Sequence, residues 1–144
     1  MNPMNSNIFN DFNNLLLQLI TNIKTICPRS IVARNFDVIE YTITNIKDNE
    51  RFIGLFVTKA LKYKKFIDEE NEKFFTEKSY EEDVNKNKNK NVIDHIFQLK
   101  DVWGILSEEN KKIIFKYMQI LCHMAQKYFD ILDKKNQFEE DIIR

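Results

Sequence analysis

"SEENKKIIFKYMQILCHMAQKYFDIL", residues 107–132, is the stretch whose reading decides the fold. Ile113, Ile114, Tyr117, Met118, Leu121, Ala125, Tyr128 and Leu132 recur mainly at steps of three and four, the spacing of one face of an α-helix. Lys112, Lys116, Gln119, His123, Lys127 and Asp130 fall on the opposite face, which reads as solvated. Ser107 is placed to cap the first turn, where Glu108 and Glu109 complement the helix macrodipole. The apolar stripe runs for about five turns. A stripe that long is stable only when other helices cover it.

Helical spacing recurs upstream. Residues 92–103, "VIDHIFQLKDVW", read as a short helix with Val92, Ile93, Ile96, Phe97 and Leu99 inward. Gly104 then suits a turn that needs a left-handed backbone. Trp103, the only tryptophan, reads as a packing residue at this corner. The competing reading makes it a partly exposed aromatic anchor for a partner.

Residues 7–26 carry Ile8, Phe12, Leu15, Leu16, Leu19, Ile23 and Ile26 at helical steps, with Ser6 as N-cap. Pro28 ends that helix, because proline disfavours the helical conformation in the residue before it. A second helix starts near Ser30 with Val32, Phe36, Ile39, Ile43 and Ile46 on one side. Ile31, Val38 and Tyr41 widen its apolar surface, which predicts burial on more than one flank. Polar residues 47–50, "KDNE", then supply capping groups for a new start. A third helix over about 50–67 places Phe52, Ile53, Phe56, Val57, Ala60, Leu61 and Tyr63 on a broad stripe. Gly54 inside it predicts close approach of a neighbouring helix.

Periodicity fades after residue 67, and residues 85–91, "NKNKNKN", are polar and low in complexity. They read as part of a mobile loop near 79–91. The expected fold is all-α: one domain over residues 1–144, a bundle of about five helices with one long polar loop. Only two glycines and two prolines occur in 144 residues, too little punctuation for many short strands.

Composition narrows the function classes. With 22 basic and 22 acidic residues the chain has no cationic excess for phosphate neutralisation. Lys86, Lys88 and Lys90 sit beside Glu81, Glu82 and Asp83, with no aromatic residue interleaved for base stacking. No specific nucleic acid is expected. The first residues show neither a basic leader region nor a small-residue cleavage site, so the chain is read as not secreted. The longest apolar runs are short and interrupted, so no membrane span is expected. Cys27 and Cys122 lie far from any CxxC spacing and read as reduced thiols of an intracellular protein.

Chemical motifs are weak. His95 follows Asp94 and His123 follows Cys122, but adjacent residues on a helix point to different faces, and neither spacing is that of a metal site. Both histidines read as surface or partly buried groups. Cys122 lies mid-helix near the apolar stripe, a poor place for a nucleophile. The acidic run Asp68, Glu69, Glu70 and Glu72 lacks calcium-loop spacing and reads as a solvated helix end. No catalytic, cofactor-binding or metal-binding residue is assigned, and no cofactor is expected.

The stretch from Ile96 to Phe129 resembles a group of small helical proteins of nucleocytoplasmic large DNA viruses, proteins without assigned catalytic residues. The likeness is carried by Trp103, by Asn110-Lys111-Lys112, and by Phe115-Lys116-Tyr117-Met118-Gln119. Phe74-Phe75 before the polar insert extends it upstream. Phe115 stands where tryptophan is commoner in that group. The resemblance implies a viral protein acting in host cytoplasm or in the virion. Abundant asparagine, isoleucine and lysine suit an AT-rich genome of that kind.

The function expected is a non-enzymatic protein-protein interaction or structural module, using helix faces or an apolar groove. Its partner would be a viral or host protein, or a second copy of the chain. The alternatives are a Bcl-2-like host-response modulator, a nucleic-acid-associated accessory protein, and an enzyme with a site assembled from scattered residues.

Overall fold

A computed structural model describes residues 6–45, 47, 49–73, 95–96 and 99–143. The described residues are all-α, without strands. They form α1 (Ser6–Ile26), α2 (Ile31–Arg34), α3 (Phe36–Thr44), α4 (Arg51–Lys59), a 3-10 turn (Leu61–Tyr63), α5 (Lys64–Asp68), α6 (Lys100–Trp103) and α7 (Glu108–Ile143).

α2 and α3 pack on α1, and helix α7 is the wall against which α1, α4 and α5 pack. Its 36 residues span about 54 Å at the α-helical rise. α1 runs antiparallel to it. Phe9 near the start of α1 meets Tyr128 edge-to-face at 5.6 Å, and Asn22 near its end donates to Tyr117 Oη at 3.1 Å. α4 fills the angle between them, with Phe12 and Phe56 in T-shaped contact at 5.1 Å. The resulting core is one cluster built on Phe12, Leu16, Leu19, Ile23, Phe56 and Met118, among others, all fully buried.

The stripe expected on α7 is buried at Ile114, Met118, Leu121, Ala125 and Tyr128. Phe115 and Cys122 belong to it as well. Gln119 departs from the solvated face assigned to it. Its Nε2 donates to the carbonyl of Ile67 at 3.1 Å, satisfying a backbone acceptor at the end of α5.

The expected second helix is broken. Ser30 starts it, its hydroxyl accepting from Ala33 N–H at 3.1 Å. Asn35 interrupts it, because its Nδ2 donates to the Ile31 carbonyl at 2.8 Å and competes with the helical ladder. Its backbone (φ −109°, ψ 14°) lies outside the helical region and joins α2 to α3. The predicted burial on a second flank also fails. Ile39 and Ile43 face the core, whereas Val38 and Tyr41 are 69% and 68% exposed.

The expected third helix is divided as well. α4 ends at Lys59, and Tyr63 N–H bonds the Ala60 carbonyl, tightening the chain into a 3-10 turn before α5. Glu50 precedes α4 but makes no side-chain cap. Its carboxylate accepts from Tyr128 Oη at 2.8 Å instead, tying α4 to α7. Gly54 admits no close neighbour, since a Cβ there would meet nothing within 4 Å.

The proposed loop near 79–91, the lysines and acidic residues within it, Phe74-Phe75, and Val92, Ile93, Asp94, Phe97 and Ile46 all lie outside the described residues. Of the short helix expected over 92–103, residues 95–96 and the α6 turn are described, with Ile96 and Leu99 fully buried.

Candidate functional site: the Trp103 corner

Trp103 ends α6, and Gly104 turns the chain towards α7. The turn is right-handed (φ −65°, ψ −20°), not the left-handed conformation expected of this glycine. Leu106 N–H bonds the Trp103 carbonyl, and Ser107 Oγ caps α7 by accepting from Asn110 N–H at 3.1 Å. The cap lies where the sequence placed it.

Trp103 is a packing residue, 2% exposed, with its ring in T-shaped contact with Phe115 at 5.5 Å. A partner anchor needs an accessible face, and this indole has almost none. The burial fits the packing reading of Trp103, and the indole is not partly exposed as the competing reading has it. Phe115, which belongs to neither the expected stripe nor the expected polar face, supplies the floor of the corner.

The polar edge of the indole is tied to the acidic run. Trp103 Nε1 donates to Glu72 Oε1 at 3.1 Å, and Lys111 Nζ reaches the same oxygen at 2.8 Å. Lys111 also contacts Glu108 Oε1 at 3.2 Å and lies 5.9 Å from the Trp103 ring centroid. The bonds from Lys111 and Trp103 hold the Glu72 carboxyl below its ordinary pKa. The bonds to Glu72 and Glu108 hold the Lys111 ammonium above its own. Glu72 is thus more than a solvated helix-end residue, although its side chain remains 47% exposed.

The chain reaches this position through a Schellman turn at the end of α5. Asn71 N–H bonds the Phe66 carbonyl and Glu70 N–H bonds the Ile67 carbonyl. The turn requires a left-handed residue, and Glu70 fills the place with φ 53°. Asn71 Oδ1 then accepts from Lys73 N–H at 3.0 Å, directing the segment across the corner.

Together these residues bound a cleft of about 590 Å³ lined by Glu70, Asn71, Glu72, Lys73, Glu108, Lys111, Lys112 and Phe115. Its wall is charged and of mixed sign, so it is not the apolar groove that a helix-docking protein presents.

The other sequence candidates lie elsewhere. Cys27 and Cys122 are buried free thiols. Burial, reinforced by the charge of Asp68, pushes the Cys122 thiol up to about 12, far from nucleophilic at neutral pH. Burial raises Cys27 too. His123 is exposed on α7, and His95 is half-buried. Among the described residues, no three His, Cys, Asp or Glu side chains gather into a group that could hold a metal ion. No helix of the described residues is long and apolar enough to cross a membrane.

No known protein family, curated protein or solved structure matches the chain.

Proposed function

We propose that the chain is a non-enzymatic protein-protein interaction or structural module that works through helix faces. The observation that supports this is the exposed pair Val38 and Tyr41 on α3. Residues three apart lie side by side on a helix surface. Their neighbours Ile39 and Ile43 anchor α3 to the core, and the outward pair lies outside it. An aliphatic and an aromatic side chain exposed together offer apolar surface to a partner. The partner class is protein, viral or host, with a second copy of the chain included. The viral setting, in host cytoplasm or in the particle, rests on residue usage and on the likeness carried by Trp103 and Phe115–Gln119.

Crosslinking of the tagged protein in its cellular setting, read by mass spectrometry, tests the reading when compared with a Val38→Glu/Tyr41→Glu variant. The expected result is one dominant protein crosslinked through α3 and lost from the variant. Crosslinks that ignore α3 and persist in the folded variant would sink the α3 reading.

A further inference from the structure

The segment from Asp68 to Lys73 contains no buried residue, yet it lies across one of the best-buried aromatic pairs in the molecule. Glu70 within it holds a left-handed conformation, which costs a residue with a Cβ about 1–2 kcal/mol. Two residues later, Glu72 spans to two other elements through a single oxygen, taking Trp103 Nε1–H from α6 and Lys111 Nζ from α7. The segment that follows this turn is held to the corner by a polar clasp whose outer side is wet. Segments fixed by exposed polar bonds and few apolar contacts open at lower free energy than the core beneath them.

We propose that Glu72 is a latch: residues 69–73 lift from the corner as a unit, releasing Trp103 and Lys111 together and uncovering the Trp103–Phe115 pair while α1, α4 and α7 stay folded. The latched state hides the indole edge behind a carboxylate and an ammonium that neutralise one another. The unlatched state leaves Lys111 to Glu108, which it already contacts. This device is independent of any partner on α3. It stands or falls on the corner alone.

Trp103 is the only tryptophan, so its fluorescence reports this corner without ambiguity. Acrylamide quenching and the emission maximum are measured on the full chain for wild type, Glu72→Gln and Glu72→Ala, beside far-ultraviolet circular dichroism. The expected result is a several-fold rise in quenching and a red shift in Glu72→Ala at unchanged helix content. Glu72→Gln falls between, because an amide oxygen still accepts from the indole. Wild-type quenching in Glu72→Ala would overturn the latch. So would loss of its helical signal, since a latch leaves the helices standing. Hydrogen exchange of the indole N–H in the unmodified protein gives a second reading. Exchange faster than that of the Met118 and Leu121 amides is expected, and exchange at the same opening free energy as those amides would overturn the proposal.

Discussion

Glu70, Gly54 and Gly104 each hold a place where another residue would be more stable. Glu70 occupies a left-handed position that glycine fills without steric cost. Glu70→Gly is expected to raise stability by about 0.5–1 kcal/mol, the steric relief less the extra freedom of glycine in the unfolded chain. The two glycines are the converse case. A Cβ at either would meet nothing within 4 Å, and neither has positive φ. Gly54→Ala and Gly104→Ala should each stabilise by about 0.4–1 kcal/mol. Thermal melts of the three variants check this, and a drop in Tm for either alanine variant would contradict the open space around that glycine. Trp103→Phe should instead lose about 1–3 kcal/mol, from the hydrogen bond to Glu72 and the volume against Phe115. Partner capture through α3 should survive it. Denaturant titration together with the crosslinking assay separates those two effects.

At the scale of the element, long amphipathic helices were plain from their spacing, and the joints between helices were not. α1 and α7 follow patterns that repeat over many turns, so a single ambiguous residue cannot hide them. The breaks at Asn35 and Ala60 turn on one side-chain bond to Ile31 and one tightened backbone bond from Tyr63. Neither leaves a trace in hydrophobic period. The outward face of α3 was misread for a related reason: Val38 and Tyr41 are apolar, but composition cannot say whether a covering element exists. The corner was half legible. Ser107 announced the cap, whereas Glu72 sits in an aperiodic acidic run 31 residues from Trp103, and only the fold brings them together. Two side-chain bonds that sequence could not reveal now carry element-scale expectations. Gln119→Leu should cost about 0.5–1.5 kcal/mol by removing its bond to the Ile67 carbonyl, which keeps the one from Glu70 N–H, and Tyr128→Phe about 1 kcal/mol by removing its bond to Glu50. Urea midpoints measure both.

For the molecule as a whole, stability should form a plateau bounded by identifiable groups. The folded Glu72 carboxyl titrates below its ordinary 4.5, so the unfolded chain takes up that proton first. Its contribution is complete above that pH and is lost as pH falls through the folded value. At the alkaline side the unfolded thiol of Cys122 ionises near 9.0 while the folded one resists to about 12. Stability falls across that window by up to about 1.4 kcal/mol per pH unit for each such group. Lys111 adds to the decline above 10.5 because its folded pKa is raised too. Denaturant midpoints from pH 3 to 11 should show the plateau, and Cys122→Ala should flatten its alkaline edge. Both thiols should also resist Ellman's reagent at neutral pH until the chain is unfolded. The antiparallel pairing of α1 with α7 reaches beyond equilibrium, to synthesis. Phe9 is made well before Tyr128, against which it rests. Translation therefore runs ahead of docking, and the α7-facing side of α1 stays open to chaperones until α7 has emerged.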